Sequence, residues 1–163
     1  MKYSRIYCDM DGVLCDFEKN IKNTLGISVQ KWMSINPKHE RWQPIVAKKD
    51  FWEKMPWLND GKNLWRFIMK YDPHILSAAS QEDPNCKPGK MRWIKRNLGI
   101  PANRINLVQR HEKQMFAKVA GQPSILIDDY GRNTNEFTKR GGVGIRFQNA
   151  GQVIRDLKSL GFN

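Results

Sequence analysis

The sequence predicts an α/β protein with a doubly wound, mostly parallel sheet and a small helical module inserted after the first strand. Three observations predict it. Short apolar, β-prone runs alternate with helix-period stretches through residues 73–163. A similar run, residues 3–8, stands apart from them. Between the two, residues 16–72 carry helical and aromatic patterning without a convincing strand. The expected division is a core of residues 1–15 and 73–163 with a helical insertion of residues 16–72.

Residues 3–8 read as a buried strand that stops at Asp11-Gly12. Phe17, Ile21 and Leu25 then recur at four-residue spacing, and Gly26 is a fitting helix stop. Ser28 is a cap for a second short helix carrying Trp32 and Met33, which Asn36-Pro37 breaks. A third helical piece runs from Trp42 to Lys49. After Phe51-Trp52-Glu53-Lys54-Met55-Pro56-Trp57, Gly61 introduces a helix with Leu64, Phe67 and Ile68 on one face.

Beyond Asp72-Pro73 the pattern becomes βα. His74 to Ser77 is a strand. Pro88 opens a helix with Met91, Ile94 and Leu98 as its stripe, and Gly99 with Pro101 closes it. Arg104 to Val108 reads as a strand, Glu112 to Ala120 as a helix, and Ser124 to Ile127 as a strand running into Asp128-Asp129. A helix at Asn133 to Lys139, a strand at Val143 to Phe147 and a helix at Ala150 to Leu160 complete the alternation.

The chain has 163 residues, enough for one domain with an ordinary core. It carries 28 Lys plus Arg against 16 Asp plus Glu, a formal charge of +12. That excess favours anionic partners, whether a nucleotide or a nucleic acid. No apolar run is long enough to span a bilayer, so no membrane partner is expected. The three cysteines, Cys8, Cys15 and Cys86, lack metal-ligand spacing, and no leader-type segment precedes the first strand. A reduced, cytoplasmic protein is the expectation. Exposed aromatics of the insertion would permit a dimer, though no pattern requires one.

Ligands of open α/β sheets bind beyond the carboxyl ends of the strands. Asp9 and Asp11 end the first strand, and their i, i+2 spacing in extended chain points both to one face. Ser77 ends the second strand, Asp128 and Asp129 the fourth, and Lys113 follows the third by a short connection. Carboxylates from two strand ends are hard oxygen ligands suited to Mg²⁺. A lysine and a serine beside them suit a phosphate.

These residues resemble the haloacid dehalogenase-like phosphohydrolases. Asp9-Met10-Asp11-Gly12-Val13-Leu14 is similar to the first motif of that family, Ile75-Leu76-Ser77 to the second, Lys113 to the third, and Ile125-Leu126-Ile127-Asp128-Asp129 to the fourth. Three further pieces resemble the 5′(3′)-deoxyribonucleotidase branch: Phe51 to Pro56 with Gly61, Cys86 to Lys90 before Trp93, and Leu107 to Arg110 before Lys113.

The resemblance implies a phosphatase of nucleoside monophosphates that works through an aspartyl-phosphate. Asp9 would be the nucleophile and Asp11 the proton carrier. Mg²⁺ would be held by Asp9, the Asp11 carbonyl and one of Asp128 and Asp129. Ser77 and Lys113 would hold phosphoryl oxygens, with Lys90 a further candidate. Residues 16–72 would be the cap, and Phe51 or Trp52 would stack on a base. Ala78 and Ala79 depart from the branch, which often offers another hydroxyl and a proline there.

Competing readings remain at this level. Asp9 and Asp11 alone can be a solvated turn, and the Asp128-Asp129 pair can be helix-start acids. Ser77 can be a strand-end cap and Lys113 a surface lysine. Trp32, Trp42, Trp57 and Trp65 are expected to be packing residues. No role falls to His39, His74 or His111. Between Lys87 and Lys118 stand nine Lys or Arg and one acid, Glu112. That run can be a solvated face or a track for a DNA or RNA backbone, which would make the chain a polynucleotide end phosphatase or a non-catalytic nucleic-acid-binding domain.

Overall fold

A computed structural model describes residues 2–163. Its strands are β1 (Ile6–Cys8), β2 (His74–Ala78), β3 (Ile105–Val108), β4 (Lys118–Val119), β5 (Gln122–Pro123), β6 (Ile125–Asp128) and β7 (Val143–Arg146). Its helices are α1 (Phe17–Leu25), α2 (Val29–Met33), α3 (Lys38–Ala47), α4 (Gly61–Ile68), α5 (Cys86–Asn97), α6 (Gly131–Lys139) and α7 (Ala150–Ser159). The main sheet has the order β3-β2-β1-β6-β7, and every pair in it is parallel.

β1 is the central strand. Cys8 lies opposite Ile75 of β2 on one side and Ile127 of β6 on the other. The chain builds β2 and β3 outward from one edge of β1, then crosses to build β6 and β7 from the other. The order therefore reverses between β1 and β6, and the crevice of such a sheet opens at their carboxyl ends. Burial on both faces explains the unbroken apolar runs: all of Ile6–Cys8 and Ile125–Asp128 is buried.

Several helix boundaries follow local chemistry. The Asp16 side chain accepts the Lys19 N–H to start α1, and Gly26, at φ +72°, ends it. Ser28 caps α2 and Asn149 caps α7 in the same way. Helix α4 buries Leu64, Trp65 and Ile68 and packs against α7. The last helix of residues 16–72 thus lies on the sheet layer, while α1 to α3 face the strand ends. No helix among the described residues is long and apolar enough to cross a membrane.

The structure departs from the expected elements in two places. Helix α3 begins at Lys38, directly after Pro37, and continues through Pro44. The helix expected at Glu112 to Ala120 is instead a 3-10 turn, Arg110–Phe116, followed by the β4-β5 hairpin. Ala120 and Gly121, at φ +51° and +81°, make that hairpin turn, whose left-handed conformation a helix cannot hold.

Candidate active site

Asp9 follows β1, and its N–H donates to the Ile127 carbonyl at 3.0 Å, so it extends the β1-β6 ladder by one residue. The chain then folds over the Met10 carbonyl, which accepts the N–H groups of Val13, Leu14 and Cys15 at 3.1, 2.8 and 2.9 Å. Gly12 sits in this turn at φ +85°, and a Cβ there would lie 2.1 Å from Asp129 Oδ2. Glycine is required twice over, by the backbone conformation and by the approach of the acid.

A buried charge layer lies beneath the turn. Lys113, 2% exposed, places Nζ 3.1 Å from Asp9 Oδ1 and 2.7 Å from Asp128 Oδ2. Asp128 is wholly buried, and both of its oxygens are engaged. Oδ2 also accepts Asn133 Nδ2 at 3.0 Å, and Oδ1 accepts the Tyr130 N–H at 2.9 Å. Arg110 holds Asn133 Oδ1 at 2.8 Å and pairs with Glu136. Asp129, by contrast, is open to solvent on one side.

The electrostatics follow from one lysine facing three acids. Burial, then the charge of Asp128, raises the Asp9 pKa to about 8 despite Lys113. Partial burial and Asp128 likewise raise Asp129 to about 6. Burial opposes the charge on Lys113, but Asp9 and Asp128 outweigh it and hold its pKa above the ordinary lysine value. Asp9, Asp128 and Asp129 each offer a carboxylate oxygen within 4.8 Å of the others. A hard divalent cation fits this set: the donors are all oxygens, and their mutual repulsion is what such a charge relieves.

A second buried lysine serves Asp11. Lys90, 1% exposed, donates to Asp11 Oδ2 at 2.9 Å, Ser77 Oγ at 2.7 Å and the Ala78 carbonyl at 2.8 Å. These three bonds use every proton of the ammonium. Asp11 Oδ1 is buried and has no hydrogen-bond partner among the described residues. Cys15 beside it is buried, and burial first, then Asp11, pushes its thiol pKa well up, so it stays protonated.

Above this floor is a cavity of about 600 Å³. Its floor is Asp11, Gly12 and Asp129, and its far wall includes Phe17, Trp32, Trp42 and Trp52. Trp42 and Trp52 are nearly parallel, 21° apart, with centroids separated by 6.1 Å. Trp32 stands edge-on to Trp42 at 4.9 Å, and Phe17 touches both Trp32 and Trp52.

Asp9, Asp11, Ser77, Lys90, Lys113, Asp128 and Asp129 therefore gather at one sheet edge, but at different depths. Ser77, Lys90 and Lys113, expected to face a phosphate, lie one layer below the open cavity, where each ammonium is matched to carboxylates. Trp52 lines the cavity, whereas Phe51 does not. Phe51 is 1% exposed and packs edge-on behind Trp52 and Phe17, so as a base-stacking candidate it is replaced by its neighbours. Trp32 and Trp42 pack in the aromatic cluster, as expected, and also line the cavity. Sequence reasoning also missed Asn133 and Arg110, which secure Asp128; the i+5 spacing of Asn133 from Asp128 across a helix start was the available signal.

A scan against protein-family models finds no match, and neither does a search of curated protein sequences. Solved structures do match. L-2-haloacid dehalogenase from Xanthobacter autotrophicus aligns at TM-score 0.58 and 12% identity, over 99% of this chain and 84% of that one. A HAD-family hydrolase from Deinococcus radiodurans with bound phosphate and sodium aligns at 0.59 and 10%, over 99% and 97%. A HAD-family enzyme from Bacteroides thetaiotaomicron in complex with magnesium and inorganic phosphate aligns at 0.51 and 12%, over 90% and 95%. Sheet order, strand direction and these alignments agree that the chain has the haloacid dehalogenase-like α/β fold.

Proposed function

We propose that the protein is a Mg²⁺-dependent phosphomonoester hydrolase acting on nucleoside monophosphates, with 5′(3′)-deoxyribonucleotidase chemistry. The observation that carries this reading is the single cavity that joins the carboxylates Asp11 and Asp129 to a wall of four aromatic rings. One end suits a metal and a phosphate, and the other suits a flat ring. The phosphate complexes of two structural neighbours support the first half of the reading.

Asp9, the Asp11 carbonyl and one of Asp128 and Asp129 are the groups that would hold the metal. Asp129 has the freer carboxylate, because both Asp128 oxygens accept from Lys113, Asn133 and the Tyr130 N–H. Bound there, Mg²⁺ would supply the positive charge that keeps Asp9 ionised and draws electron density from the phosphoryl group. Lys113 orients Asp9 from below. An Asp9 oxygen forms a bond to phosphorus while the ester P–O bond breaks, and the electron pair leaves with the alkoxide. Asp11, held by Lys90 through Oδ2, carries the proton to the alkoxide. It then takes a proton from the water that attacks the aspartyl-phosphate, which restores Asp9 and releases phosphate. The rings hold the rest of the substrate and exclude water.

The run from Lys87 to Lys118 favours a polymer less than its composition suggests. Lys90 and Lys113 are buried, Arg92 and Arg96 pair with Glu53, Arg110 pairs with Glu136, and Arg104 meets Asp72. Lys87, Lys95 and Lys118 form no ion pair among the described residues. Purified protein with Mg²⁺ is expected to release phosphate from deoxynucleoside or ribonucleoside monophosphates in preference to 3′- or 5′-phosphorylated oligonucleotides. A preference for oligonucleotides that falls steeply with salt would replace this substrate with a polynucleotide end. No turnover of any member would end the enzyme reading, and tight salt-sensitive binding alone would favour a non-catalytic nucleic-acid-binding domain.

A further inference from the structure

We propose that Asp83 is a positioning residue that sets the aromatic wall of the cavity by holding Trp52, an inference that rests on the phosphatase reading above. Asp83 lies on the loop between β2 and α5, far in sequence from the ring it holds, and is 2% exposed. It forms no ion pair among the described residues. Its Oδ2 accepts the Trp52 indole N–H at 2.8 Å, and its Oδ1 accepts the Asn85 N–H at 2.9 Å. A carboxylate buried without a cation is costly, so both oxygens need such donors.

The consequence for Trp52 is orientation. An indole against apolar neighbours can rotate about its ring torsion, and a hydrogen bond at Nε1 selects one rotation. In that rotation one side of Trp52 meets the Lys90 ammonium, 5.3 Å from the ring centroid, and Trp42 lies nearly parallel to the ring. Gly89 of α5 makes the approach feasible, since a Cβ there would fall 2.6 Å from Trp52 Cβ. Trp52, 3% exposed, thus backs the cavity wall and supports the Trp42 ring beside it, and its hydrogen bond is made to the loop before α5.

The test compares a nucleoside 5′-monophosphate with glycerol 3-phosphate, which has no ring to stack. Asp83→Leu is expected to raise KM for the nucleotide about tenfold, equivalent to about 1.4 kcal/mol. The constants for glycerol 3-phosphate should move less than about twofold, as should kcat for the nucleotide. Asp83→Asn keeps an acceptor oxygen for the indole and is expected to recover most of the nucleotide KM. In a Trp52→Phe background, which has no indole N–H, Asp83→Leu should add no further increase. If Asp83 serves only the start of α5 through Asn85, Asp83→Leu will raise KM for both esters and will do so with Trp52→Phe as well, which overturns the proposal. An unchanged nucleotide KM in Asp83→Leu, with an active wild type, overturns it too. A wild type that hydrolyses neither ester removes the phosphatase reading and this inference with it.

Discussion

The floor of the cavity and its wall are held by different forces. In the floor, Lys113 and Lys90 each meet carboxylates at 2.7 to 3.1 Å in near-complete burial, and the energy depends on how many charges are matched. In the wall, Phe17, Trp32, Trp42 and Trp52 touch ring to ring, and the energy depends on contact area and orientation. The floor should therefore respond to pH, metal and single charge changes. The wall should respond to volume and shape, and its loss should affect binding more than chemistry.

The comparison is tested most severely at Asp9. Asp9→Asn is expected to lower turnover on the order of 10⁴-fold, read by phosphate release, because the nucleophile is gone. Its thermal midpoint at pH 8 should not fall, since the substitution removes a carboxylate whose ionisation burial opposes. Retained activity would mean a different nucleophile. Next, Lys113→Met leaves Asp9 and Asp128 without their shared cation and should cost about 3 to 5 kcal/mol in denaturant unfolding at neutral pH. The cost should shrink on acidification, when the acids take up protons.

The metal gives a graded version of the same test. Asp9 and Asp129 have folded pKa values of about 8 and about 6, both above the ordinary carboxylate value. The metal-free native state therefore holds their protons more tightly than the unfolded chain does. The stability this contributes is full below about pH 4 and is lost as pH rises through 6 and then 8. Stabilisation by Mg²⁺ should grow over the same window. At a concentration of 100 times Kd it should reach about 2.7 kcal/mol at pH 8, visible as a rise in thermal midpoint of several degrees. A flat response from pH 5 to 8 would show that the acids do not share a cation. On the wall, Trp42→Leu should raise nucleotide KM about tenfold with kcat nearly unchanged, a split that no floor substitution should give.

The same difference explains what the sequence made legible. A charge can be buried only with partners, and partners of buried acids at strand ends must come from other strand ends, so Asp9, Asp128 and Lys113 could be read together from order and spacing. The helices that follow β2, β6 and β7 were readable for a similar reason, because crossover connections leave little freedom, whereas the connection after β3 is a 3-10 turn and a hairpin. Aromatic residues carry no such constraint. Trp42 has the same helical spacing whether it packs inward or lines a cavity, and Phe51 and Trp52 are adjacent in sequence although only one faces the open space. Depth was equally hidden: nothing local distinguishes a Ser77 that faces a phosphate from one that accepts a hydrogen bond from Lys90 below the floor. The β4-β5 hairpin was missed because its turn uses Ala120 before Gly121, where Asn or Asp is the stronger signal.

The central place of β1 has a kinetic consequence. Ile6 pairs with Ile125, and Cys8 with Ile127, so one side of the middle strand waits for a partner that is synthesised much later. The insertion, β2, β3 and the β4-β5 hairpin must emerge while that apolar edge is open. Contacts this distant in sequence slow folding and prolong exposure of unpaired strand. Asp9 reaches Asp128 when the β1-β6 ladder closes, so assembly of the charged floor should coincide with the pairing of these two strands.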